Sequence, residues 1–424
     1  MAGGRRRGLV TKSIFDPVHG PITLDGLALR LVATASFQRL WGIRQTGFAH
    51  LVFPGANHTR LEHSLGTFWV ARQMAERFGL DGEETERVGV AALLHDLGHP
   101  PFSHTLDGPL REVLGVSHET VSRARIEGDT KLIAGEDGEL ARLLEGAGIS
   151  PRGVADLVDP RPSRRRSRLP FSILHGAIDA DRIDYLERDA HYTGVAHGSI
   201  DAVRLFDTLR HVGRRPYFAE KGRSAVEGFL VERALMYASV YYHKTVRAAE
   251  MMAQAAVERS AGYPSSARGL FTLTDGDLLV RLRDAGASSA ALVEGLLSRR
   301  LYKRVLGLKE LSASARRRWR VLAETPEARR QVEDELAGRL RTDPGTVLVD
   351  VAGVERREGP ADDWGEVGVG ERGRISYPFR PQGPWRTLAL RPPSEWAVTV
   401  YVAAQHRRRA TEKLTARAVA RALG

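Results

Sequence analysis

The chain contains no cysteine. That excludes disulfides, thiolate metal sites and cysteine nucleophiles, and leaves histidine, carboxylate and other oxygen ligands for any bound metal. It also has no uninterrupted apolar run approaching the roughly 18 residues that suggest a spanning helix. The basic stretch Met1 to Val10 runs into Thr11, Lys12 and Ser13 and not into the apolar core of a secretion signal, so the expected location is the cytoplasm, with no membrane partner. No internal repeat is present. With 42% hydrophobic and 27% charged residues, wholesale disorder and collagen-like or coiled-coil architecture are excluded, and 424 residues suffice for about two to three domain-sized units. The net charge of +11 suits nucleic acid, an anionic surface or a phosphorylated small molecule without choosing among them.

Residues 1–11 read as a basic tail. Ile14 to Leu24 mixes β-formers with Pro17, Gly20 and Pro21, as a short hairpin does. The pattern then turns helical, with Ala28, Leu31, Val32 and Ala35 at i, i+3, i+4 and i+7. Phe53 to Asn57 reads as a loop before a helix through Glu62, Leu65, Phe68 and Met74. Glu83 to Leu97 reads as an apolar helix stopped by Gly98, Pro100 and Pro101. A variable-looking segment from 120 ends in a polar surface loop, Pro160 to Arg168; helical signals resume over Ile173 to Asp189 and over Val226 to Arg259. Beyond 261 come shorter helices and the β-rich stretches Thr346 to Val351, Trp385 to Leu390 and Ala397 to Val402. The polar, glycine-rich segment 353–374 reads as mobile. The expected fold is therefore mainly α, a helical core over 12–260 with a smaller mixed α+β lobe over 261–424.

The chemistry concentrates in His95-Asp96-Leu97-Gly98-His99-Pro100-Pro101-Phe102-Ser103-His104. Adjacent His95 and Asp96 differ by about 100° of helical azimuth, so both can reach one point beside a helix end and form a metal fork. His99 shares the face of His95, and the proline pair can bend the chain so that His104 returns toward it. Arg60-Leu61-Glu62-His63-Ser64-Leu65-Gly66 offers a third ligand, and the segment from Asp179 to Asp189 a fourth. In that segment Asp181, Tyr185 and Asp189 stand at i, i+4 and i+8, along which a metal-bound nucleotide could lie. Histidine with aspartate suits Fe, Mn, Zn, Co or Ni, with Mg possible if waters fill its shell.

At these residues the sequence resembles the HD-domain phosphohydrolases, defined by a His, a His-Asp pair and a later Asp, here His63, His95, Asp96 and Asp181. It is most similar to the deoxynucleoside triphosphate triphosphohydrolase branch, through Phe37-Gln38-Arg39-Leu40, Val52-Phe53-Pro54-Gly55-Ala56, Glu62 to Gly66, His95 to His99, Pro101 to His104 and Asp181 to Asp189, over residues 12–260. The resemblance implies an HD-domain helical core in which His63, His95, Asp96 and Asp181 ligate a divalent metal. It implies that His99, His104, Asp107 and His118 form an acid–base group, with His104 as general acid. Arg60, Arg182, Tyr185, Arg233 and Lys244 would hold the triphosphate, Gln45 and Asp189 the sugar 3′-hydroxyl, and Tyr241 would flank the sugar. In the family a metal-activated water attacks the α-phosphorus and releases nucleoside plus inorganic triphosphate, and protomers often pair, which implies a homo-oligomer, dimer or tetramer. Three departures stand out. Arg182 stands where the family often has Lys. Ala33 and Trp41 replace the Asp and Arg with which one member reads an activating guanine, which argues against assembly through that pocket. Thr46, beside Gln45, replaces an apolar residue that crowds the sugar, and its hydroxyl could admit a ribose or an altered sugar, which argues against strict deoxy preference.

Two other functions compete. The metal pattern alone is shared with HD phosphatases and phosphodiesterases acting on other nucleotides, against which Arg233 and Lys244 argue. The basic runs at Arg164, Arg165, Arg166 and Arg168 and at Arg316 to Arg320 could serve a nucleotide- or nucleic-acid-binding regulator, with Trp319 stacking on a base. The favoured reading of both runs is a solvated surface.

Overall fold

The computed structural model describes residues 11–422 except 130, 134–136, 161–168, 266, 309–318, 320, 323–324, 352–362, 381–384 and 386–396. The basic tail, the arginine run at 164–168, most of that at 316–320, and the expected strand beyond Trp385 lie outside the described residues.

Strands Thr11–Asp16 and Gly20–Asp25 pair antiparallel as the expected hairpin, with Ile14 opposite Ile22. Helices Arg60–Arg77 and Gly82–Leu94 pack against each other and against Ala180–Thr193 and Pro151–Val158. Their apolar faces form one core, in which Leu65, Phe68, Leu93, Leu94, Ile183 and Leu186 are all buried. Burying such side chains contributes about 1.5–3 kcal/mol each relative to leaving them exposed, so this packing fixes the helix ends that carry the site. Among the described residues no helix is long and apolar enough to cross a membrane.

Several expected elements are divided. The variable-looking segment holds helices His118–Glu127, Glu139–Gly146 and Pro151–Val158, the last two with strongly amphipathic sequences whose shortness hid the period. Ile173 to Asp189 is split between Leu169–His175 and Ala180–Thr193, because Asp179 caps a new helix by accepting from Arg182 N at 2.9 Å. Val226 to Arg259 is not one span either. Helix Arg223–Met236 passes into a π turn at Tyr237–Tyr241, and Lys244–Glu258 starts afresh after His243.

The C-terminal lobe carries a three-stranded antiparallel sheet with Val398–Val402 at its centre, between Lys303–Leu308 and Val347–Asp350. Trp319 is buried in the core beneath that sheet, 2% exposed, and so is not free to stack on a base. Part of the segment read as mobile is ordered against the helical core: Val369–Glu371 pairs parallel with Arg215–Ala219, and Trp364 is fully buried.

Candidate active site

Three helix ends deliver the metal pattern. His63 lies in the first turn of Arg60–Arg77, His95 is the C-cap of Gly82–Leu94 with Asp96 next, and Asp181 lies in the first turn of Ala180–Thr193. His63 Nε2 stands 2.9 Å from Asp181 Oδ1 and 3.6 Å from Asp96 Oδ2, while His95 Nε2 stands 3.2 Å from Asp96 Oδ1 and 3.8 Å from Asp181 Oδ1. Each imidazole is fixed from behind. His63 Nδ1 bonds Asp184 Oδ2 at 2.7 Å, and His95 Nδ1 donates to the Ala92 carbonyl at 2.7 Å. The Nε2 atoms of both are buried and, for all the nearby carboxylate oxygens, make no aligned hydrogen bond. Two oriented nitrogens and two carboxylates converging in this way fit a divalent metal.

Burial opposes a charged His63, yet the carboxylates of Asp181, Asp184 and Asp96 hold its pKa up at about 10. Because this pKa is raised, the proton stays on through neutral pH, and a metal must displace it. Metal affinity should therefore climb about tenfold per pH unit for each proton displaced between about pH 6 and 8, read by competition with a chelating dye. A flat profile would mean that His63 is already unprotonated.

Asp96 joins this quartet to a second cluster. Its Oδ1 lies 3.3 Å from His99 Nε2, and its Oδ2 accepts from Arg60 at 2.5 Å. His99 stacks on His118 with centroids 3.9 Å apart, and His104 meets His99 edge-on at 4.9 Å. Asp107 anchors His118, accepting from its backbone N–H at 3.1 Å and lying 3.1 Å from its Nδ1. Burial disfavours a charged His118, but Asp107 and then Glu119 outweigh it and raise the pKa to about 9. His104 has an edge open to the cleft, yet enclosure by the surrounding walls, then the charges of Arg60 and His118, push its pKa down to about 4. At neutral pH the proton of this cluster therefore sits on His118. The bend that returns His104 is made less by the prolines than by Phe102 and Ser103, both at positive φ, 58° and 54°.

Arg182, Tyr185, Asp189, Arg233 and Tyr241 line the same cleft of about 940 Å³, as do Gln45 and Thr46. Asp189 is engaged, one oxygen with His58 Nε2 at 2.7 Å and the other accepting from the Tyr241 hydroxyl at 2.6 Å. Arg60 is likewise engaged with Ser103 Oγ at 2.8 Å as well as with Asp96. Lys244 is exposed and absent from the cleft wall, because the π turn and the new start after His243 carry it away; Arg247 lines the wall one turn later, paired to Asp350.

Sequence reasoning missed the supports. Asp184 is gripped by Arg188 through two bonds of 2.9 Å and by His19 Nε2 at 2.6 Å, and Arg188 also donates to Asp16 at 2.8 Å. The i, i+4 spacing of Asp184 and Arg188 was a readable signal; the hairpin residues Asp16 and His19 gave none. Asp363 bridges Arg182 at 2.9 Å and Arg233 at 3.0 Å, an arrangement with no local signature.

Residues 60–189 match the HD domain and residues 200–419 the HD associated region. An uncharacterized protein of Methanocaldococcus jannaschii is 37% identical over 73% of this chain and 62% of its own length. The deoxynucleoside triphosphate triphosphohydrolase SAMHD1 of Gallus gallus is 30% identical over 60% of this chain and 46% of its own length, so the chain spans only part of the curated relatives it matches. Among solved structures, a hypothetical protein from Aquifex aeolicus aligns over 96% of this chain and 100% of its own, with a TM-score of 0.71 and 26% identity. A phosphohydrolase from Bacteroides thetaiotaomicron aligns over 92% and 98%, with a TM-score of 0.69 and 26% identity. The chain belongs to the HD-domain phosphohydrolase superfamily.

Proposed function

We propose that this hydrolase is a metal-dependent nucleoside triphosphate triphosphohydrolase. Water attacks the α-phosphorus, the bond from that phosphorus to the 5′-oxygen breaks, and nucleoside and inorganic triphosphate leave. One observation carries the reading: a single cleft has His95, Asp96 and Asp181 of the quartet, with His63 fully buried beside them, the imidazole cluster and the guanidinium groups of Arg182 and Arg233 on its walls. The name of the SAMHD1 relatives supports the substrate class. A divalent ion held by His63, His95, Asp96 and Asp181 supplies Lewis acidity toward a phosphate oxygen and a water of lowered pKa.

The chain's own residues do the remaining work. Arg182 and Arg233, with Tyr185 beside them, set the phosphate chain in place and offset its charge. Phosphate charge entering the cleft opposes the effect of Arg60 and His118 on His104 and draws its pKa upward, so the open imidazole can carry a proton to the departing 5′-oxygen. His118, whose ring centroid is 5.7 Å from that of His104, is the reservoir. Gln45 Oε1 and Thr46 Oγ1 are buried without hydrogen-bond partners and are free to take sugar hydroxyls. A cytoplasmic homo-oligomer, dimer or tetramer, belongs to the same reading.

The test is chromatography of products from NTPs and dNTPs with metal-supplemented protein. Nucleoside with intact triphosphate supports the proposal, whereas orthophosphate with a nucleoside diphosphate would keep the metal site and overturn attack at the α-phosphorus. The same assay separates the cations: Arg233→Ala should raise KM by about tenfold or more through loss of a charge-assisted contact, while Lys244→Ala should leave KM within about twofold.

A further inference from the structure

The segment Leu97 to Ser103 sets the distance between the metal quartet and the acid–base histidines, since Asp96 precedes it and His99 and His104 lie within it and at its end. It carries two consecutive non-glycine residues at positive φ, Phe102 and Ser103. Such conformations persist only where surrounding contacts impose them. The imposing contacts come from far along the chain. Asp275, 4% exposed at the start of helix Asp275–Arg283, accepts from Phe102 N at 2.6 Å through Oδ1 and from Arg44 N at 3.0 Å through Oδ2. Arg39 bonds the other side, donating to the carbonyls of His99 at 2.6 Å and Leu97 at 3.3 Å, and is itself tied to the Leu273 carbonyl at 3.1 Å.

We infer that Asp275 is a positioning residue, through which the region following the helical core holds the loop so that His99 and His104 face the reacting centre. It touches no metal ligand. Both of its oxygens are spent on backbone N–H groups of the two segments that meet beneath the imidazole cluster, so its loss frees the loop to relax toward ordinary φ values and shifts His104. The inference rests on the phosphohydrolase reading for its activity readout.

The experiment compares full-length wild type with Asp275→Asn, which keeps one acceptor, and Asp275→Ala, which keeps none. Misplacement of a catalytic group should lower kcat by about tenfold in the first and about a hundredfold in the second, with KM and bound metal within about twofold of wild type. Unchanged kcat in folded Asp275→Ala would overturn the inference, as would metal and kcat falling together, which marks general loss of structure. If Asp275→Ala does not fold, Asp275→Asn decides on the same criteria. If wild type makes no triphosphate, the substrate class fails separately, and the histidine C2–H titrations by NMR judge Asp275: altered curves for His99, His104 and His118 with the other histidines unmoved support it, and identical curves overturn it.

Discussion

Asp96→Asn should abolish turnover, by about a thousandfold or more, in a protein that still folds. This carboxylate is the one group shared by both clusters. It sits 3.2 Å from His95 Nε2 and 3.3 Å from His99 Nε2 through Oδ1, and it holds Arg60 through Oδ2. Burial opposes its charge, but Arg60, His95 and His99 hold its pKa well below the usual carboxylate range, so it is ionised at neutral pH. An amide in its place removes a ligand charge, leaves the guanidinium of buried Arg60 without its anion, and leaves one acceptor oxygen where Arg60 and His99 each face one. The prediction is a joint loss of bound metal, measured by elemental analysis, and of activity. Full metal occupancy with no turnover would instead place the role of Asp96 on the His99 side alone.

The same residue shows what local sequence could carry. The nearness of His63, His95, Asp96 and Asp181 was legible because each lies in a first turn or at a helix end, where a short pattern fixes direction; His63, His95 and Asp96 form one group able to hold a metal, with Asp181 2.9 Å from His63. The predominance of helix was legible for the same reason: Arg60–Arg77 and Gly82–Leu94 carry a clear apolar pattern. What escaped depends on contacts between distant segments. Asp189 reads as free for a sugar hydroxyl, but His58 and Tyr241 hold it from two other elements. Lys244 falls outside the cleft because a π turn interrupts a stretch whose apolar period runs on without a proline or glycine to mark the break. The parallel pairing of Val369–Glu371 with Arg215–Ala219 joins positions about 150 residues apart, a match no local pattern specifies. Asp275 is the same case, since its role exists only where Phe102 and Arg44 meet.

Gly66→Ala should strip the protein of metal and lower its melting temperature, although it adds a single methyl to a helix. Alanine is the better helix former, so an isolated helix would gain about 0.5–1 kcal/mol. Here a Cβ would stand 1.8 Å from Asp184 Oδ1 and 2.3 Å from an Arg188 nitrogen. Those atoms form the buried pair that orients His63, so the methyl must push the Arg60–Arg77 and Ala180–Thr193 helices apart or break the pair. Overpacking costs about 1–3 kcal/mol, and breaking a buried ion pair about 3–5 kcal/mol, so either route outweighs the propensity gain. Gly228→Ala is the counterpart: Gly228 lies on the exposed face of helix Arg223–Met236 with nothing within 4 Å of the added Cβ. It should raise stability by about 0.5–1 kcal/mol and leave metal binding untouched. Thermal unfolding of both variants with and without chelator separates the effects. If chelation lowers the melting temperature of wild type and Gly228→Ala but not of Gly66→Ala, the close approach of the two helices at Gly66 is what holds His63 ready for metal. An equal response to chelator in all three would show that Asp184 can be displaced without cost to the site.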